Sequence, residues 1–293
     1  MSGGPNRTFL FAPGDHARRV EKALQLDADA VILDLEDAVA LGAKVAARGL
    51  VTAALQAPRR PRGYVRVNSF DTPLCFGDIH AVVGPGLDGI VLPKLEDAAQ
   101  LEAVAWMVSA LERERGLPPG HIDLMPIIET ARGHVALRDL ARAAGALGGR
   151  VKRLSFGAGD YTLDLGISWS LDEAELAAVR AEMVLASRSA GLEAPIDTVW
   201  IELREMDAYQ RSCARGAGLG FQGRLCIHPD QVPLANAAYS PSADEVARAG
   251  RIVAAFTQAE AQGLAAIQVE GRFVDYPIVE RAERVLRLHR MLR

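Results

Sequence analysis

The sequence predicts a (β/α)₈ TIM barrel with a C-terminal helical extension. Eight short apolar runs suited to strands recur along the 293 residues. They are mostly continuous rather than alternating, the signature of parallel strands buried on both faces. Helical patterns separate the runs, and several runs stop on a carboxylate, where the functional face of such a barrel lies. An open doubly wound sheet is the alternative, but it would place a Gly-rich phosphate turn after its first strand. Ala12-Pro13-Gly14-Asp15 is not that turn.

The first strand is expected over residues 8–12, and the helix over 15–25 carries Val20, Ala23 and Leu24 on one face. The second strand, 30–35, precedes an Ala-rich helix over 38–55 that ends before Pro58 and Pro61. Strands three and four span 63–67 and 89–93. A helix over 95–115 then stops before Gly116 and the Pro118-Pro119 pair. Strands five and six are 123–128 and 153–158. The helix over 171–190 has acids in its first turn and Gly191 just past its end, as dipole and capping rules favour. Strands seven and eight are 196–200 and 224–227. Helical segments near 233–239 and 242–263 follow, then an apolar run over 265–269 and a last helix from Tyr276. The expectation is one domain, with the barrel over 1–232 and an extension over 233–293 that serves as lid or oligomer contact.

The 33 basic and 37 acidic residues give a net charge of −4. That argues against a nucleic-acid surface, which needs a concentrated basic patch. No apolar run approaches the ~18 residues of a membrane span. The N-terminal Met-Ser-Gly-Gly-Pro-Asn has no signal-type apolar stretch. Cys75, Cys213 and Cys226 are odd in number and lack metal spacing, so reduced thiols and a cytoplasmic location are expected. Cys226, inside an apolar run, reads as a small core residue.

Glu129 and Asp160 are the first charged groups past strands five and six. Neighbouring parallel strands would bring them roughly 5 Å apart, a spacing that suits one Mg²⁺ with room for water and substrate. The competing reading is two helix-start acids favoured by the dipole. Gly157-Ala158-Gly159 argues against it, because small residues let backbone approach a ligand. Asp34, Glu36 and Asp37 end the second strand, and Glu36 or Asp37 would hold metal-bound water or substrate unless Asp37 merely starts a helix. Arg66 is out of place in a buried strand. It either faces the mouth, where its fork suits a carboxylate or developing oxyanion, or pairs with a structural acid. Lys94, ending strand four, reads as an ion pair with a barrel acid. His228 reads as a pocket-lining donor. Arg18, Arg19 and Lys22 on the first helix are either a solvated face or a contact for a ligand's phosphates.

Seven motifs, in order along nearly the whole chain, then carry a resemblance. They are residues 7–15 (RTFLFAPGD), 33–39 (LDLEDAV), 65–69 (VRVNS), 90–97 (IVLPKLED), 127–133 (IIETARG), 155–160 (SFGAGD) and 223–232 (GRLCIHPDQV). Together they resemble the citrate lyase beta-subunit-like proteins and the related malyl-CoA lyases of the HpcH/HpaI aldolase superfamily. The resemblance implies a (β/α)₈ barrel, a homotrimer, bound Mg²⁺ and a CoA thioester. It also implies reversible cleavage of a 3-hydroxy-3-carboxyacyl-CoA to an acyl-CoA and a 2-oxo acid. By position it makes Glu129 and Asp160 metal ligands, and it puts Glu129 and Arg66 against the oxo acid. It further makes Asp275, in GRFVDYP (271–277), an acid/base entering a neighbouring subunit's site. Tyr276 and Glu202 depart from the pattern. Two alternatives stand beside this one: an aldolase acting on free 2-oxo acids, and a complex-bound subunit working on an acyl-carrier protein.

Overall fold

In the computed structural model, residues 6–292 are described; the Met1–Pro5 segment, read above for targeting signals, lies outside them. The eight barrel strands are β1 (Thr8–Pro13), β2 (Ala30–Asp34), β3 (Arg62–Arg66), β4 (Gly89–Leu92), β5 (Asp123–Ile128), β6 (Ser155–Phe156), β7 (Ile196–Asp197) and β8 (Gly223–Cys226). They pair in chain order, all parallel, and β1 closes on β8. The apolar continuity of the runs has this cause: one side of each strand meets the barrel interior, the other the helices. Phe9, Ile32, Tyr64, Val91, Met125, Ile127, Ile196 and Leu225 fill the interior core. Phe9 and Tyr64 meet edge to face at 5.3 Å.

The surrounding helices are α1 (Ala17–Ala23), α2 (Lys44–Leu55), α3 (Cys75–Val82), α4 (Ala98–Glu114), α5 (Ala131–Val135), α6 (Leu137–Ala146), α7 (Ala158–Leu165), α8 (Ala177–Ser189) and α9 (Met206–Leu219). Asp97 caps α4 by accepting from the Ala99 amide at 2.8 Å. Cys75, Cys213 and Cys226 are all buried and free.

Several boundaries differ from the sequence reading. The helix expected over 171–190 is a 3₁₀ turn, Ala174–Leu176, followed by α8 from Ala177, so the acids expected in its first turn lie before α8. The helix expected from residue 38 starts at Lys44, after one 3₁₀ turn. The Asp34 carboxylate takes the amides of Glu36 and Ala38, at 2.9 and 3.1 Å, and holds that stretch as a turn. The sixth strand stops at Phe156, because Gly157 caps α7 and the Ala158 amide donates to Thr198 Oγ1 at 2.8 Å. The seventh strand stops at Asp197. Between these two-residue strands the only paired position is Ser155 with Ile196. Beside this seam the Arg180 fork holds both oxygens of Glu173 at 3.0 Å, and its Nε holds Asp197 at 3.0 Å. Arg224 lies 3.6 Å from Asp197 and 3.7 Å from Glu173.

The described residues group into two compact units, Asn6–Asn236 and the stretch from Ala237 onward. After β8, α10 (Gln231–Ala238) leads to the second unit, which holds α11 (Ala243–Glu260), a hairpin of β9 (Ala266–Val269) and β10 (Arg272–Asp275), and α12 (Tyr276–Met291). A capping box of Ser242 and Glu245 starts α11. The hairpin is an addition to the expected helices. Its two-residue turn, Glu270-Gly271, has positive φ at both positions, as a type I′ connection requires.

Candidate active site

The carboxyl ends of β2, β3, β4 and β5, with the first turn of α7, form one charged cluster. Asp34 ends β2 and is saturated: besides the two amides it takes Arg66 Nε at 2.8 Å and Nη2 at 2.6 Å. Burial alone would raise its carboxyl, but Arg66 and the two amides outweigh burial and hold it below the usual carboxylate value. Arg66 ends β3. Its remaining nitrogen, Nη1, lies 3.0 Å from Glu36 Oε2, and its plane covers Phe11 at 4.8 Å. The arginine that sequence placed either at the mouth or on an acid is thus at the mouth and on two acids.

Lys94, just past β4, sits in the left-handed region at φ 50. That conformation is uncommon for a residue with a Cβ. Its amide donates to Glu129 Oε1 at 2.8 Å. Its Nζ meets Glu36 Oε1 at 2.6 Å, Asp37 Oδ2 at 3.1 Å and Asp160 Oδ1 at 3.8 Å. The barrel acid expected for it is therefore three acids. Glu36 is buried, whereas Asp37 lies in a turn with its side chain 56% exposed.

Glu129 follows β5 and is 3% exposed. Burial pushes its carboxyl up to about 8; Arg66 offsets part of this, while Asp160 and Glu36 add to it. Burial likewise raises Glu36 despite Arg66 and Lys94. Asp160 lies in the first turn of α7, so the helix-start reading describes its backbone place. Its carboxylate still shares Lys94 with Glu36 and Asp37. Gly157 has a concrete role: a Cβ there would stand 2.3 Å from Glu129 Oε2. The glycine run therefore makes room first for the Glu129 carboxylate.

Among the described residues no group of three or more His, Cys, Asp or Glu is arranged to hold a metal. Two hard oxygen donors with a surplus of negative charge remain, and Mg²⁺ is commonly bound by one or two carboxylates with the rest of its shell supplied by water or substrate. The upward push on Glu129 comes first from burial, and the neighbouring Asp160 and Glu36 carboxylates add a repulsion that a cation held by Glu129 and Asp160 would relieve. The donor set fits such an ion through Glu129 and Asp160.

Sequence reasoning missed a second layer of support. Lys44 Nζ binds the Leu35 and Glu36 carbonyls and Asn68 Oδ1, at 3.1, 2.5 and 2.7 Å. Asn68 in turn donates to the Leu35 carbonyl and to Asp78. Asn68 carries a readable signal as a polar residue just past a buried strand; Lys44, within an ordinary helical pattern, carries none.

Arg18, Arg19 and Lys22 lie on α1 beside two cavities. One, of about 440 Å³, is lined by Pro13, Arg19, Lys22, Ile227 and His228, among others. The other, about 650 Å³, is lined by Asp15, His16, Arg18, Arg19 and Lys22. His228 is thus pocket-lining, as expected. In the second unit, Asp275 caps α12: it accepts from the Ile278 amide at 3.4 Å, with Pro277 in the first turn.

A parallel (β/α)₈ barrel whose mouth gathers buried acids around one arginine and one lysine, beside a cleft lined by Arg18, Arg19 and Lys22, has the form of an enzyme site. The family model described as HpcH/HpaI aldolase/citrate lyase matches residues 7–229. The citrate lyase subunit beta of Leuconostoc mesenteroides subsp. cremoris is 36% identical over 284 residues, covering 96% of this chain and 92% of that protein. The (3S)-malyl-CoA thioesterase of Cereibacter sphaeroides is 35% identical over 273 residues, covering 92% and 90%. The crystal structure of CitE from Mycobacterium tuberculosis with magnesium, acetoacetate and coenzyme A superposes with a TM-score of 0.76 at 33% identity, covering 98% of both chains. The chain belongs to the HpcH/HpaI aldolase/citrate lyase family and is an enzyme of that lyase family. Among the described residues no helix is long and apolar enough to cross a membrane.

Proposed function

We propose that this protein is a Mg²⁺-dependent acyl-CoA lyase. It would cleave a 3-hydroxy-3-carboxyacyl-CoA of the malyl-, citramalyl- or citryl-CoA type, reversibly, to an acyl-CoA and a 2-oxo acid. The observation that carries the reading is the convergence of Glu129, Asp160, Arg66 and Lys94 at one end of the barrel. Glu129 and Asp160 would hold the cation, which supplies Lewis-acid polarisation of the substrate's oxygens when bound. Glu36 and Asp37 border the same space and would contact substrate through water.

In the cleavage direction a base removes the substrate's hydroxyl proton. The carbon–carbon bond then breaks, its electron pair moves into the thioester as an enolate, and reprotonation of that carbon gives the acyl-CoA. Arg66, held rigid by Asp34, presents fixed positive charge where oxygen charge develops. Fixed charge of this kind usually gives the largest catalytic term. Asp275 of a neighbouring copy in a homotrimer is proposed as the acid/base. Arg18, Arg19 and Lys22 would bind the phosphates of CoA. The basic cleft favours this reading over an aldolase acting on free 2-oxo acids, which has no phosphates to bind.

Product analysis on malyl-, citramalyl- and citryl-CoA with added Mg²⁺, together with titration of CoA into the isolated protein, tests the proposal. Cleavage of at least one thioester to a 2-oxo acid and saturable CoA binding are expected. Turnover only of free oxo-acid aldols, or only of acyl-carrier-protein thioesters, overturns it.

A further inference from the structure

The mouth holds more carboxylates than the proposed cation needs. Asp34 is satisfied by Arg66 and two amides. Glu36, Asp37, Glu129 and Asp160 remain, and Lys94 contacts every one of them: its amide takes Glu129, and its ammonium takes Glu36 and Asp37 and approaches Asp160. The ammonium stands where three carboxylates converge, two from the turn after β2 and one from the first turn of α7, the place a second hard cation would take.

Resting on the divalent-cation reading of this site, we propose that Lys94 is a built-in counter-cation that restricts the mouth to a single divalent ion. It claims Glu36 and Asp37, so that Glu129 and Asp160 alone are left to the metal. The backbone supports the assignment. A lysine at φ 50 persists only where its surroundings over-determine it. Here the amide is fixed on Glu129 and the ammonium on the acids opposite, so one residue sets the spacing between the two groups of carboxylates. The compact, mobile point charge of lysine suits the task better than a planar fork, which would impose its own geometry on three differently oriented carboxylates. Lys94 acts through the acids and is a positioning residue.

The conformation at this position also supplies the test. Lys94→Gly removes the ammonium, keeps the amide on Glu129 and relieves the positive φ. Lys94→Asn does the same with a residue that tolerates that region. The full chain is titrated with Mn²⁺, and free ion is counted by electron paramagnetic resonance. The wild type and Lys94→Arg should bind one ion per chain. Lys94→Gly and Lys94→Asn should bind two, and adding Glu36→Gln should return them to one. If both neutral variants fold and still bind one ion with wild-type affinity, or if the wild type itself binds two, the inference is overturned. A wild type that binds no Mn²⁺ rejects the divalent-cation reading itself, a result distinct from either.

Discussion

Glu129 sets how this protein should respond to pH. Burial raises its carboxyl from 4.5 to about 8, so between those values the folded chain keeps a proton that the unfolded chain releases. Stability of the metal-free protein therefore falls as pH rises through that window, by at most ~1.4 kcal/mol per pH unit for one group. Glu36, also raised, acts with the same sign. Thermal melts in chelator should show a lower Tm at pH about 8 than at about 5. Glu129→Gln should flatten that slope, and Mg²⁺ should restore stability most at the alkaline end, because the ionised carboxylate is its ligand. A Tm that rises with pH in chelator counts against the assignment. Asp160→Asn, at a partly exposed position, should fold normally while Mg²⁺ affinity and turnover fall. Full turnover in excess chelator would remove the metal from the mechanism. Arg66→Lys should cost about 2–4 kcal/mol of transition-state stabilisation in kcat/KM. It should also lower Tm, since the buried Asp34 loses its two-pronged partner. Near-normal turnover would leave Arg66 a purely structural ion pair.

Among the elements, α1 offers a direct measurement. Neutralising Arg18, Arg19 and Lys22 together should weaken CoA binding at least tenfold and flatten its dependence on salt, as loss of phosphate contacts does. Unchanged CoA affinity would make the helix a solvated face. The elements also show what the sequence could and could not reveal. Strands β1 to β5 were readable because each has a mostly apolar, buried stretch at its centre, and β5 matches to the residue. The sixth and seventh runs were read too long. Residues 157–158 and 198–200 continue the small or apolar pattern, yet they serve a helix cap and a bond from the Ala158 amide to the Thr198 hydroxyl oxygen. Glu129, Asp160 and Arg66 were legible as charges at the ends of apolar runs. The three-acid grip of Lys94 was not, because it depends on a backbone conformation that lysine does not advertise and on two segments far apart in sequence.

At the scale of the whole molecule, the proposal for Asp275 is decided by mixing. Asp275→Asn and Arg66→Ala proteins should each be inactive, and exchanged oligomers should regain part of the activity. An active Asp275→Asn parent would leave the residue only its role as the cap of α12. Absence of rescue after proven subunit exchange would exclude action on a neighbour. The seam between β6 and β7 bears on the molecule in another way. One paired position joins those strands, and the charged side chains of Glu173, Arg180, Asp197 and Arg224 lie beside it. A wall with so few ladder bonds is where local opening needs the least free energy. In deuterium exchange the amides of residues 155–158 and 196–198 should therefore label earlier than those of β2 and β3. Because Gly157 lies against Glu129, and Asp160 only three residues further on, an occupied site should slow that labelling, making the weakest stave of the barrel its most sensitive reporter of ligand.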